Sequence, residues 1–206
     1  MYKLKKISGE RFVVNLFYAS TQNHFYKDMY SQFGLSDALV LPELHDRLMM
    51  LAPKLQELGL RLFVYDAYRP VAAQRFMYDT APENLRAYIA RPPTSESKNA
   101  LHTRGAALDC FLVREDGTPL KFPSAPDAFF NGWEKDKNYD EYLKRAHCDF
   151  YDANLPAEIF QNRALLQDLM REIGLNPLSS EWWHFSLPNG GEYPIIEDLS
   201  VVEVLD

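Results

Sequence analysis

The sequence predicts an α+β fold with a mixed or antiparallel central sheet and flanking helices. Apolar runs of strand length alternate with amphipathic runs of helix length, and no repeat or linker divides them. At 206 residues the chain suits one well-buried core, so residues 1–206 are expected to form a single domain.

Leu41, Leu44, Leu48, Leu51, Leu55 and Leu58 recur at three- and four-residue steps and end at Gly59, an amphipathic helix with a glycine cap. Pro53 sits inside this pattern without an amide hydrogen and should kink or interrupt it. Leu60 to Tyr65 reads as a buried strand that leaves through the loop Asp66-Ala67-Tyr68-Arg69. Pro70 then opens a helix at its first turn, running towards Tyr78. The stretch from Asn84 to Thr94, with Pro92-Pro93, reads as a surface loop. Ala106 to Val113 is a second buried strand, with Asp116-Gly117 as the turn after it.

Pro119 to Tyr151 carries several turn-like clusters and little periodicity, so an irregular excursion is expected there. A helix from Pro156 to Ile173 puts Ile159, Leu165, Leu166, Leu169, Met170 and Ile173 on one face, with Gly174 as its cap. Glu181 to Leu187 is the last strand, closed by Pro188-Asn189-Gly190-Gly191.

Composition excludes several classes of function. With 47% hydrophobic and 25% charged residues the chain is not of disordered type. A net charge of -7 disfavours nucleic acid and anionic membrane as partners, since both need a basic face. No run of 18 apolar residues argues for membrane insertion, and the basic start Met1 to Lys6 is not followed by a signal-peptide core. Cytoplasm is the default expectation, or periplasm if a leader has been removed. Cys110 and Cys148 are expected to be reduced packing residues rather than a disulfide framework.

Chemistry concentrates in two fragments, His102-Thr103-Arg104-Gly105-Ala106-Ala107-Leu108-Asp109 and Glu181-Trp182-Trp183-His184. Two imidazoles and a carboxylate can close three sides of a zinc ion and leave the fourth open for water. An acid three residues before the last ligand is placed to take that water's proton. Gly105 offers the break that lets His102 come from a loop and Asp109 from the strand after it. Asp109 lies in an apolar run, where a carboxylate is costly unless paired or metal-bound. Glu181 and His184 would face opposite ways on a strict strand, so both reach one metal only if that strand bends or bulges. The plainer alternatives are a hydrogen-bonded core histidine at His102 and a Glu181–His184 ion pair beside core tryptophans.

Taken together, His102-x-x-Gly105-x-Ala107-x-Asp109 and Glu181-Trp182-Trp183-His184 resemble the D-alanyl-D-alanine dipeptidases of the vancomycin-resistance type, within the zinc D,D-peptidases. Tyr65-Asp66-Ala67-Tyr68-Arg69-Pro70 is similar to that family's segment ending in Tyr-Arg-Pro. Asn15 to Ser20 with Asn23-His24-Phe25 resembles its N-terminal region, and Gln161-Asn162-Arg163 its helix start.

The resemblance implies one zinc per chain on His102, Asp109 and His184, with Glu181 as catalytic base and Arg69 stabilising the transition state. It places Tyr18 near the substrate's amino end and Asp127 as the acid that meets the substrate ammonium. Arg69 alone could equally be an ion pair with Asp66, Asp127 a loop acid, and Tyr18 a half-buried aromatic. The implied partner is a small D,D-dipeptide. The rival functions are a carboxypeptidase trimming peptidoglycan stem peptides and a non-catalytic peptidoglycan-binding module.

One position departs from the family. Ala100 stands where a serine usually precedes the first zinc histidine by two residues, at the substrate's amino end by resemblance. Looser recognition of that end is expected, with Ser97 or Asn99 as the nearby substitutes. Residues 132–145 have no counterpart in the resemblance.

Overall fold

Two sheets organise the chain, and each joins strands far apart in sequence. The computed structural model describes residues 1–21, 23, 27–81, 83–86, 89–94, 100–124 and 139–205. In chain order these residues form β1 (Tyr2–Lys6), β2 (Phe12–Val14), β3 (Leu39–Val40), α1 (Pro42–Met49), α2 (Ala52–Glu57), β4 (Leu60–Asp66), α3 (Val71–Thr80) and α4 (Glu83–Arg86). They continue with β5 (Ala107–Arg114), α5 (Tyr139–Ala146), α6 (Ala157–Glu172), β6 (Asn176–Leu178), β7 (Glu181–Ser186) and β8 (Val202–Leu205).

The central sheet is mixed, as expected, in the order β2-β4-β5-β7-β6. β2 runs parallel to β4, and every other pairing is antiparallel. β5 lies in the middle and is buried from Ala107 to Val113. Its Phe111 stacks on Phe63 of β4 at 4.6 Å between ring centroids. Burial of this kind stabilises by about 1.5–3 kcal/mol for each large side chain. α6 packs over β5 and β7, and α2 over β4.

A second sheet, β3-β1-β8, ties the two ends of the chain together, with β1 parallel to β8. Hydrophobic patterning gave no sign of it, because its strands are short and β1 and β8 are largely exposed.

The leucine stripe is confirmed and broken. Leu44, Leu48, Leu51 and Leu55 are all buried, but the helix is interrupted at Met50-Leu51, where α1 gives way to α2. Pro53 is the cause. It brings no N–H to the carbonyl of Met49 four residues back, and its ring crowds that carbonyl. The chain closes the gap with tighter bonds, Met50 N–H to Arg47 O and Leu51 N–H to Leu48 O.

Two stretches expected to be irregular contain helix: α4 at the start of the loop from Asn84, and α5 within Pro119–Tyr151. α4 is a single four-residue turn, too short for periodicity to register. The Asp116-Gly117 turn is present, with Gly117 N–H donating to Arg114 O. Cys110 and Cys148 are free thiols. Among the described residues no helix is long and apolar enough to cross a membrane.

Candidate active site

Register across the central sheet builds the site. Asp66 of β4 pairs with Asp109 of β5, which pairs in turn with His184 of β7. Asp66, Asp109 and His184 thus form one row across three neighbouring strands. A bulge at Tyr65 makes this register possible, since Val64 pairs with Cys110 and the next pair is Asp66 with Asp109.

His102 enters from just before β5. It starts the single 3₁₀ turn His102–Arg104, which ends on Gly105 at φ +65°. A side chain at Gly105 would meet Leu4 Cδ2 at 2.8 Å and Leu41 N at 3.3 Å. Only glycine suits both the left-handed backbone and the close approach. The expected break is there, and it aims His102 back over the row.

β7 also bulges, as the spacing of Glu181 and His184 required. Leu178 of β6 pairs with Glu181, but the preceding Pro177 pairs with Phe185. The intervening residues bow out from β6, and Glu181 Oε2 comes within 3.9 Å of His184 Nδ1.

Three atoms converge where these elements meet. His184 Nδ1 lies 2.9 Å from Asp109 Oδ1, His102 Nε2 lies 3.4 Å from the same oxygen, and the two imidazole nitrogens are 3.1 Å apart. His102 Nδ1 is 2.7 Å from the carbonyl of Ala67. A carbonyl only accepts, so Nδ1 carries the hydrogen and a neutral ring points a bare lone pair from Nε2 at its neighbours. Both imidazoles and the carboxylate, all 6–13% exposed, bring one ligand atom each to a common point. The group could hold a metal ion.

Charge follows the geometry. Burial disfavours the imidazolium of His102, but Asp109 and Asp66 outweigh it and lift the pKa above its ordinary value. Burial would raise Asp109 too, yet His102 and His184 hold it well below the carboxylate range. Glu181 sits at the rim. Burial raises its pKa and Asp109 adds to the rise, against the opposing pull of His184.

Arg69 follows β4 and is held on every side. Its Nη2 donates to Asp66 Oδ2, Nη1 to Gln74 Oε1 at 2.6 Å, and Nε to the Tyr30 hydroxyl at 3.1 Å. Tyr30 in turn donates to Asp66 Oδ1 at 2.5 Å. One N–H on each terminal nitrogen is left over. The ion-pair alternative for Arg69 is therefore realised, and it fixes the guanidinium beside the histidine turn, where Arg69 N–H also donates to His102 O at 3.1 Å.

The ring of Tyr18 lies 5.4 Å from the Arg69 guanidinium carbon and edge-on to Tyr30. Asp127 lies outside the described residues, as do Ser97 and Asn99.

Sequence reasoning missed Tyr30 and Gln74, which nothing in their own neighbourhoods marks. It also missed a strap from the C-terminal segment. Ile196 N–H donates to Thr103 O, Val71 N–H to Glu197 O and the Tyr68 hydroxyl to Ile196 O, joining the arginine loop to the histidine turn.

A His–Asp–His group built from two strands and the turn before β5, flanked by a carboxylate and a half-buried arginine, has the parts of a metal-assisted hydrolase, and the comparisons agree at the level of class. The chain belongs to a peptidase family, Peptidase_M15, described as D-ala-D-ala dipeptidase, whose model matches residues 9–200. It is 33% identical over 140 residues to the D-alanyl-D-alanine dipeptidase of Escherichia coli, covering 68% of this chain and 62% of that one. It is 28% identical over 149 residues to the D-alanyl-D-alanine dipeptidase of Synechocystis, covering 61% and 58%. The matches thus span about three fifths of these curated relatives. Among solved structures the LdcB LD-carboxypeptidase aligns over 81% of this chain and 71% of its own, at 18% identity and a TM-score of 0.35.

Proposed function

We propose that this chain is a zinc-dependent dipeptidase that hydrolyses D-alanyl-D-alanine, or a close D,D-dipeptide, to free D-amino acids. The observation that carries this is the convergence of His102 Nε2, Asp109 Oδ1 and His184 Nδ1 with Glu181 beside them, in a chain of the D-ala-D-ala dipeptidase family. Two imidazoles and a carboxylate suit zinc better than magnesium or calcium, which take oxygen ligands. Such sets also hold iron(II), but peptide hydrolysis needs no redox partner. Zinc held there would polarise the peptide carbonyl and lower the pKa of an attacking water to about 7.

The side chains divide the remaining work. Glu181 Oε2 takes the proton from the attacking water and returns it to the leaving nitrogen. Its position at the rim gives it access to both. Arg69 directs its spare N–H groups at the oxygen on which negative charge develops. Asp66, Gln74 and Tyr30 hold the guanidinium so that it need not reorganise as that charge grows. Tyr18 covers one face of Arg69 and stands near the amino end of the dipeptide. Asp127 is proposed as the acid that meets the ammonium.

The cavity next to this centre is about 220 Å³, below the ~300–1,000 Å³ of drug-sized ligand sites. That size is on the scale of one or two small residues. The test is D-alanine release from D-Ala-D-Ala measured beside a stem pentapeptide. Faster cleavage of the dipeptide supports the proposal. Faster cleavage of the pentapeptide makes the enzyme a carboxypeptidase instead.

A further inference from the structure

Trp182 follows the proposed base directly in the chain and is held on three sides. Its ring stacks on Phe122 at 4.4 Å between centroids and 5° between planes, and Trp183 meets it edge-on at 5.4 Å. Its Nε1 donates to the Ser124 hydroxyl at 2.6 Å, a bond between residues only 1% and 5% exposed.

Phe122 and Ser124 lie on an anchored stretch. After the Asp116-Gly117 turn the chain runs back along β5, where Pro119 bridges to Val113 and Leu120 N–H donates to Leu112 O. Phe122 then meets Phe111 of β5 edge-on at 6.5 Å. Phe111 is two residues from Asp109, so the two share a face of the sheet. Trp182, stacked on Phe122, lies on that same face, two residues along β7 from His184, as strand alternation requires.

Glu181 is the residue out of phase. In a regular strand it would point away from both Trp182 and His184, yet its Oε2 is 3.9 Å from His184 Nδ1. The ladder with β5 runs from Ser186 to His184, and the ladder with β6 passes from Phe185 to Glu181. Neither ladder holds Trp182 in register, so its side chain is what holds the bulge. A stretch that flattened here would swing Glu181 to the far face.

We propose that Trp182 is the positioning residue of the general base: its indole, clamped by Phe122 and Ser124, holds the bulge that sets Glu181 beside His184. The inference rests on the dipeptidase reading and on Glu181 as its base. Trp182 acts through Glu181 rather than on the substrate. A displacement of about 1 Å in a reacting group costs on the order of 10²-fold in rate.

The test is a double-mutant cycle on D-Ala-D-Ala hydrolysis by the zinc-loaded enzyme. Trp182→Phe keeps a ring against Phe122 and removes the N–H that Ser124 accepts. It should lower kcat about 10–100-fold, with KM within about twofold and metal content unchanged. In a Glu181→Gln background the same substitution should change kcat by less than about twofold, because the group it positions no longer takes a proton. Ser124→Ala leaves the indole in place and opens the clamp from the other side. It should show the same pattern with a smaller loss, and it carries the test if Trp182→Phe does not fold. Native kcat in both variants, or an equal loss with and without Glu181, overturns the positioning role and leaves the dipeptidase reading standing. Native turnover in Glu181→Gln overturns the positioning role together with the base. Zinc-loaded native protein that does not cleave D-Ala-D-Ala overturns this inference and the proposed function together.

Discussion

Asp109 and His184 stand directly opposite each other on β5 and β7, with Oδ1 and Nδ1 2.9 Å apart. Sheet register, rather than a loop, sets their separation. A slip of one residue in β7 would turn His184 to the other face and away from Asp109, so this pair is as rigid as the centre of the sheet. His102 has no such guarantee. Its position depends on one turn and on the contacts of Gly105.

Gly105→Ala should therefore harm site and fold together. The left-handed backbone costs a non-glycine residue about 1–2 kcal/mol, and the new methyl would press on Leu4 and the Leu41 amide. A stability loss of at least that size in urea unfolding is expected, with weaker metal binding. Unchanged metal affinity would show that His102 is positioned by something else.

Glu181→Gln should fold, bind metal and lose about 10²–10⁴-fold in rate, the usual share of a general base. Glutamine keeps the shape and removes the proton acceptor. Steady-state kinetics beside metal analysis reads the result. Near-normal turnover with a full metal complement would assign proton transfer to another group.

Arg69→Ala should lose on the order of 10²–10³-fold, mostly in kcat. It should also destabilise the fold, because Asp66 is fully buried and would keep an unpaired charge. Breaking such a pair costs about 3–5 kcal/mol. A double-mutant cycle with Asp66→Asn separates the two effects: the double variant should recover part of the stability and none of the rate.

How far the sequence reveals this site depends on the kind of contact. Asp109 stands out by itself as an acid inside an apolar strand, whereas His102, Glu181 and His184 are singled out together only through the resemblance of their two fragments to a known family. The need for a bulge between Glu181 and His184 is legible too, from strand geometry alone. Tyr30 and Gln74 are not. They reach Arg69 from 39 and 5 residues away through side-chain contacts that leave no periodic trace. The parallel pairing of β1 with β8 is equally silent, since it joins residues near 2 and 202, and only tertiary structure brings them together.

Glu43 gives a pH test away from the site. It accepts from the Tyr193 hydroxyl and from Arg47, while Arg47 also donates to Ile173 O and Gly174 O. The Tyr193 hydrogen bond, then Arg47, pull the Glu43 pKa below its ordinary value. A depressed carboxylate stabilises the fold above its unfolded pKa of about 4.3, and that contribution is lost as pH falls through the folded value. With its side chain 47% exposed, solvent screening limits the effect to less than about 1 kcal/mol. Glu43→Gln should be slightly less stable than the native protein at neutral pH, and the gap should close on acidification. A gap that is constant with pH would mean that shape, not charge, holds these contacts.

The decisive measurement is a titration of metal-free protein with zinc while D-alanine release from D-Ala-D-Ala is followed. Activity should be absent without metal, rise linearly and level off at one zinc per chain, and a His184→Ala protein should neither bind tightly nor gain activity. Hydrolysis that persists under chelation, or full zinc loading without any D-alanine released, would contradict the assignment of His102, Asp109 and His184 as the centre of a D,D-dipeptidase.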